Sequence, residues 1–172
     1  MSKNTFYALY AVEVDVGEAF TGTSGQYYHS FLAFIDETAG HPTKIIDEIN
    51  FVAVEDAESK TEHLIAHPFR YWKDGQDFER DYHALRLLSG SEEYMRSVWQ
   101  KAQHNSKQIE NLALKFNRAN NAPTAFNCRA AIKALIESLG LTYQPVLDTE
   151  HAQAGTQSNI THLLPTAELE TI

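Results

Sequence analysis

The order of the apolar patterns along the chain most constrains its fold. Three stretches rich in aromatic and β-branched residues come first, at 5–16, 27–36 and 43–54, and predict strands. A shorter strand is predicted at 82–88, and two amphipathic helices follow at about 91–116 and 127–139. Strands followed by helices predict an α+β fold rather than alternating βαβ units. The short polar connector at 36–42 predicts an antiparallel hairpin between the second and third strands.

Local signals define several boundaries within this order. Ser91 precedes two acidic residues and predicts the N-cap of the first helix, and Gly140 predicts the end of the second. A break in the first helix is expected near residues 104–106. The charged segment 55–80 is expected to form an irregular surface excursion. Its predicted anchors are four aromatic residues, Phe69, Tyr71, Trp72 and Phe78.

The length of 172 residues is that of one domain, which can bury a sizeable core. We predict a catalytic domain at 1–148 and a polar C-terminal tail, or loosely docked arm, at 149–172. The single cysteine excludes an intramolecular disulfide and a zinc site built from several cysteines. No compact cluster of metal ligands occurs in the sequence, so neither a metal nor another cofactor is expected.

The net charge of -9 argues against a nucleic-acid partner and against attraction to anionic lipid. No stretch approaches the roughly 18 consecutive apolar residues of a membrane span. The first apolar run is soon interrupted by Glu13 and Asp15, which is typical of a strand and not of a signal peptide. We therefore expect the chain to be cytoplasmic as synthesised. Export without a cleavable signal peptide stays open.

Cys128 is placed by these patterns in the first turn of the second helix. The dipole and unpaired amide groups of a helix N-terminus favour a thiolate, and the same amides can stabilise an oxyanion. The neighbouring Arg129 adds a cation that would also favour the thiolate. The competing interpretation is that this lone cysteine is a small buried hydrophobic residue.

A catalytic cysteine needs a base within hydrogen-bond reach, and the chain has eight histidines. His29 is the strongest candidate because it begins the most apolar predicted strand directly after a glycine-containing loop. His83 lies on a predicted strand, as a core or a surface residue. His63 and His67 have the i, i+4 spacing of metal ligands on a helix, but no third ligand is near. Surface positions are expected for the rest, His41, His104, His151 and His162.

The predicted third strand carries polar residues that could hold the second ring nitrogen of His29. Asp47, Glu48 and Asn50 are the candidates. Strict alternation gives the strand two sides, one with Lys44, Ile46, Glu48 and Asn50 and the other with Ile45, Asp47, Ile49 and Phe51. The alternative is a half-exposed strand whose polar side faces water.

Two segments resemble a known family. Residues 28–36 read YHSFLAFID and are similar to the histidine strand of circularly permuted NlpC/P60-like, papain-fold cysteine hydrolases. Residues 126–131 read FNCRAA and are similar to the nucleophile helix of that family. The order of histidine strand, hairpin, helix and then Asn-Cys is the permuted order, and the resemblance covers roughly residues 5–145. It implies a papain-like antiparallel sheet packed against helices, with the nucleophile at a helix N-terminus.

The same resemblance implies the roles of individual residues. Cys128 would be the nucleophile and His29 its base, oriented by Glu48 as first choice or Asn50 as second. Asn127 and Tyr28, which precede the nucleophile and the histidine, would contact substrate. The sequence departs from the family in having Asn50 where some relatives have histidine. It also has Phe116 where many have tyrosine.

The function implied is a cysteine hydrolase that cleaves amide bonds through an acyl-enzyme. The expected substrate is a peptide or a peptidoglycan stem peptide, as for a bacterial effector paired with a protein inhibitor or immunity partner. An acidic enzyme would not be drawn by charge to an anionic cell wall. Two alternatives stay open. One is an acyltransferase or isopeptidase of the same fold, and the other is a non-catalytic interaction domain in which Cys128 belongs to the core.

Overall fold

The computed structural model describes residues 7–15, 28–37, 44–55, 62–67, 83–112, 115–116, 125–126, 128–144 and 164–172. Its strands are β1 (Tyr7–Asp15), β2 (Tyr28–Asp36), β3 (Lys44–Glu55), β4 (Glu62–His67), β5 (His83–Gly90), β6 (Lys115–Phe116) and β7 (Ala125–Phe126). Its helices are α1 (Glu92–Asn111) and α2 (Cys128–Ser138), followed by a 3-10 turn at Thr166–Glu168. Among the described residues, no helix combines the length and apolar character needed to cross a membrane.

The strands form one sheet in the order β5-β1-β2-β3-β4-β6-β7. Neighbours from β5 to β6 run antiparallel, and the short β6 and β7 pair in parallel. Helices α1 and α2 pack against this sheet. The predicted α+β class and the β2–β3 hairpin are therefore confirmed.

Strands β1 and β2 are buried on both faces, which explains their nearly continuous apolar sequence. Leu9, Leu32 and Phe34 pack on one face against buried residues of the two helices. Phe31 and Ile35 belong to a separate buried cluster on the other face. The central strands are thus packed on both faces, and the ends of these strands carry the candidate site.

The predicted alternation of β3 is wrong at its beginning. The β2–β3 ladder shifts register between Phe34 and Ile35, which leaves Ile46 as an extra residue. Ile45 consequently joins the cluster containing Phe31, whereas Ile46 packs with the helix-side core. Beyond this irregularity the pairing is regular, and Asn50 lies opposite Phe31.

Helix α1 begins as predicted but ends earlier. The Ser91 side chain accepts a hydrogen bond from the Tyr94 N–H, which confirms the N-cap. The helix runs through residues 104–106 without the predicted break, because buried Asn105 and Ser106 satisfy their polar groups by tertiary and local hydrogen bonds. It ends at Asn111, so Phe116 lies on strand β6 and not on the helix.

The prediction of an irregular segment at 55–80 is wrong in part, since β4 lies within it. His63 and His67 are on this strand. Residues four apart on a strand are separated by about 13 Å, so these two histidines cannot form the helical ligand pair. The four predicted aromatic anchors lie outside the described residues.

The end of α2 follows the sequence signal. Gly140 has φ of 89°, in the left-handed region that glycine adopts without strain. Leu141 N–H donates back to the Ile136 carbonyl across this turn at 3.3 Å. The predicted stop of the helix is confirmed.

The last residues of the chain, 164–172, dock against both helices. Leu164 is buried in the helix-side core, and the Ile172 N–H donates to the Leu139 carbonyl. The Asn105 side chain pairs with both backbone groups of Glu170, at 2.8 Å each, and also donates to Ser138 Oγ. The amide of Asn105 thus joins α1, α2 and the C-terminal segment.

Replacing Asn105 by alanine should destabilise the fold by about 2–3 kcal/mol, because the buried Ser138 hydroxyl and the part-buried backbone groups of Glu170 lose a partner together. Asn111→Ala, at an exposed position of the same helix, is the matched control and should change stability by less than about 0.5 kcal/mol. Urea denaturation measures both variants. Equal stabilities of the two variants would contradict this role of Asn105.

Candidate active site

Cys128 is the first residue of α2, at the position that the sequence predicted. Small buried residues on the helix, Ala130, Ala131 and Ala134, allow it to lie close to the sheet. The thiol is partly buried, and its Sγ accepts a hydrogen bond from the Ser30 backbone N–H at 3.5 Å. The start of α2 is therefore fixed directly over the start of β2.

His29 lies near the start of β2, and its side chain is buried beside the thiol. The ring stacks on Phe31 with centroids 5.9 Å apart. Its Nε2 lies 2.6 Å from Asn50 Oδ1, and the imidazole also forms a hydrogen bond with the Cys128 thiol. The structure therefore brings together the predicted nucleophile and the predicted base.

The polar residues behind His29 determine which of its nitrogens carries a proton. Asn50 is completely buried, and its Nδ2 donates to Glu48 Oε1 at 3.3 Å. The amide nitrogen of Asn50 thus faces Glu48 and the amide oxygen faces His29, and an amide oxygen only accepts hydrogen bonds. Nε2 is then the N–H of the ring, which leaves Nδ1 to exchange a proton with the thiol.

Glu48 and Asn50 thus occupy successive positions in one line of contacts. Asn50, the second choice from sequence, contacts the ring, whereas Glu48, the first choice, contacts the Asn50 amide. The register of β3 explains this order, since Asn50 pairs with Phe31 and lies diagonally across from His29. Asp47, the third candidate, is on the other face and accepts from Trp99 Nε1 at 2.9 Å.

Charges and hydrogen bonds around the thiol and the imidazole together outweigh the effect of burial on the two pKa values. Burial by itself raises the pKa of the Cys128 thiol, but His29, the Ser30 N–H and Arg129 lower it, and the net shift is downward. Burial likewise lowers the pKa of His29, but Cys128, Asn50 and Glu48 raise it, and the net shift is upward. Both shifts favour a thiolate–imidazolium pair.

The sequence did not reveal a buried ion pair beside this site. Arg129 donates from Nε to Glu13 Oε1 at 2.8 Å and from its terminal nitrogen to Oε2 at 3.1 Å. Ser30 Oγ donates to the same Oε1 at 3.1 Å. The available signal was the position of Glu13, which continues the inward-facing series Tyr7, Leu9 and Ala11.

Tyr143 is a second residue that sequence reasoning did not select. It follows α2 and is partly buried against the helix-side core. Burial raises the pKa of its phenol, with smaller effects from the charges of Arg129, Glu13 and Cys128. Its hydroxyl therefore stays protonated in the vicinity of the candidate site.

The remaining predicted residues are placed elsewhere or are not described. His83 is exposed on β5, and His104 contacts the Glu168 carbonyl. Tyr28 begins β2, but its side chain lies outside the described part of the structure, as does Asn127. His41, His151 and His162 lie outside it as well. Within the described ranges, no group of three or more His, Cys, Asp or Glu side chains could hold a metal ion.

Comparison with known proteins identifies no relative of this chain. No protein-family model, curated protein or solved structure matches the chain. The arrangement around Cys128 must therefore be interpreted from its own chemistry.

The order of contacts predicts that Asn50→Ala lowers the reactivity of the Cys128 thiol more than Glu48→Gln does. Loss of Asn50 removes the partner of Nε2 and releases the ring, so the rate of Cys128 alkylation by iodoacetamide at pH 6 should fall about tenfold or more. Loss of the Glu48 charge removes a smaller, indirect effect on His29, and the rate should fall about twofold to threefold. An equal or reversed order of the two variants would show that Glu48 acts on the ring directly.

Proposed function

We propose that this protein is a cysteine hydrolase of amide bonds with a papain-like fold. The observation that carries the proposal is the buried line of contacts from Cys128 through His29 to Asn50. A nucleophile at a helix start, a base on a strand and an orienting amide on the next strand form the constellation that thiol hydrolases use. Their order along the chain, with the histidine first, supports the permuted form of that fold.

The reaction begins from the thiolate–imidazolium pair. Cys128 Sγ attacks the carbonyl carbon, and the electrons of the C=O bond move to its oxygen. When the C–N bond breaks, the His29 Nδ1 proton goes to the departing amine and a thioester is left on Cys128. His29 then takes a proton from water, the hydroxide attacks the thioester, and the C–S bond breaks to release the acid and the thiolate.

The backbone of α2 supports the oxyanion in this scheme. The first N–H groups of a helix have no partner within the helix, and their dipoles favour negative charge. The N–H of Cys128 itself is at that position. It is the first donor that we assign to the carbonyl oxygen, as the sequence predicted.

The substrate that we propose is a peptide or a peptidoglycan stem peptide, cleaved by a bacterial effector that a protein inhibitor or immunity partner would hold in check. The resemblance of the two motifs to NlpC/P60-like enzymes supports this class. The net charge of -9 would oppose attraction to an anionic wall, so recognition would have to come from contacts at the site itself. An acyltransferase or isopeptidase would share the thioester and differ only in the acceptor or the amide cleaved.

An activated ester tests the thioester step without knowledge of the substrate. With p-nitrophenyl acetate, intact-mass analysis should detect one acetyl group on the wild-type protein and none on Cys128→Ala. His29→Ala should form the adduct about a hundredfold more slowly, because the general base is lost. His83→Ala, which removes an exposed histidine from β5, is the matched control and should match the wild type.

Assays with other substrates and acceptors decide among the related functions. Release of free acid and new amino groups from peptidoglycan stem peptides supports the hydrolase, and cleavage of isopeptide-linked proteins supports the isopeptidase. Transfer of the acetyl group to an added amine or alcohol in preference to water supports the acyltransferase. Absence of an adduct on a folded wild-type protein would overturn the proposal and favour the non-catalytic interaction domain.

A further inference from the structure

Glu13 is a charged residue at a position where the sheet otherwise buries apolar side chains. It lies on β1, pairs in register with Ser30 of β2 and is only 2% exposed. The residues that precede it on the same face, Leu9 and Ala11, belong to the helix-side core. A carboxylate at such a position is costly to desolvate, so its contacts must explain why it is there.

The hydrogen bonds of this carboxylate to described residues lead to the catalytic pair. Oε1 accepts from Ser30 Oγ at 3.1 Å and from Arg129 Nε at 2.8 Å, and Oε2 accepts from the second Arg129 donor at 3.1 Å. Arg129 directly follows the nucleophile, and Ser30 directly follows the histidine. One carboxylate thus binds the residue next to each partner of the thiolate–imidazolium pair.

The contacts close into a ring that includes the thiol itself. Glu13 holds Arg129 on α2 and Ser30 on β2, and the Ser30 backbone N–H donates to Cys128 Sγ at 3.5 Å. The Glu13–Arg129 fork is buried, with 2% and 3% of the two side chains exposed. Charge-assisted, bidentate contacts of this kind fix geometry more strictly than a single hydrogen bond does. Hydrophobic residues of similar size often give equal or greater stability, so stability alone does not account for the pair.

We propose that Glu13 is a positioning residue, which sets the separation of Cys128 and His29 by holding Arg129 and Ser30 at once. This inference rests on the function proposed above. Glu13 does not touch the reacting atoms, and its effect passes through the start of α2 and the start of β2. The Glu13–Arg129 pair is therefore part of the machinery of the site as well as of the core.

Loss of the Glu13 charge and loss of its positioning contacts should change the reactivity of Cys128 in opposite directions, which makes the proposal testable. Among the described residues, the charged and titratable groups around the pair are His29 on β2, Arg129 on α2 and Tyr143 after α2. Glu13 on β1 lies behind Arg129, and Glu48 on β3 lies behind Asn50. If Glu13 only balanced charge, its removal would leave the Arg129 cation unopposed and make Cys128 more reactive at low pH. If Glu13 positions the pair, its removal separates thiol and imidazole and makes Cys128 less reactive.

The experiment follows iodoacetamide alkylation of Cys128 from pH 5 to pH 9 in the full chain. Glu13→Gln should slow alkylation at pH 6 about tenfold and move the midpoint of the profile upward. Arg129→Lys keeps the charge but loses the fork, and it should also slow the reaction. Ser30→Ala should slow it about threefold, because it removes only one of the three hydrogen bonds to Glu13 and keeps the backbone N–H that contacts the thiol.

Ser138→Ala is the matched control for Ser30→Ala. Ser138 is equally buried, at 4% against 3%, and its hydroxyl bonds the Leu135 carbonyl near the far end of α2. The alkylation rate of Ser138→Ala should depend on pH as that of the wild type does. Circular dichroism identifies any variant that does not fold, and Ser30→Ala and Arg129→Lys decide the matter if Glu13→Gln is such a variant.

Two outcomes separate this inference from the function on which it rests. A wild-type profile that His29→Ala leaves unchanged would overturn both, because no activated pair would then exist. A profile that depends on His29, together with faster alkylation in Glu13→Gln or unchanged rates in Arg129→Lys and Ser30→Ala, would overturn only the positioning role.

Discussion

The contact between the Cys128 thiol and the His29 imidazole depends on where one helix and one strand begin. Burial opposes the charged form of each group, and the largest influence that opposes burial is in each case the other group. A small displacement of α2 along the sheet would leave two buried groups that both prefer to be neutral. The surrounding structure must therefore fix this separation closely, and the packing of α2 through small alanines on a sheet buried on both faces does so.

Polar contacts extend this constraint in two directions from the pair. Asn50 and Glu48 lie on the β3 side and determine which nitrogen of His29 exchanges the proton. Glu13 lies on the β1 side and ties together the residues that follow the histidine and the cysteine. The site is thus built from three adjacent strands and one helix, so its geometry depends on the register of the whole sheet and not on one loop.

Much of this arrangement could be predicted from the sequence, because local patterns define the elements. The strands, the Ser91 cap, the Gly140 stop and the positions of Cys128 and His29 all follow from signals within a few residues. The errors arise where tertiary contacts decide. Asn105 is a residue type that is typical of a helix break, but its buried side chain forms hydrogen bonds with distant residues and the helix continues. Glu13 and Arg129 are 116 positions apart, and nothing local shows that they pair.

The protonation state of His29 tests the central claim most directly. Nitrogen-15 NMR of the imidazole, followed against pH in the wild type and in Cys128→Ala, reads the charge of the ring itself. His29 in the wild type should keep its proton above its ordinary pKa of 6.5, and its pKa should fall in Cys128→Ala, because the largest influence that raises it is then lost. A titration of His29 that is the same in both proteins would contradict the thiolate–imidazolium pair.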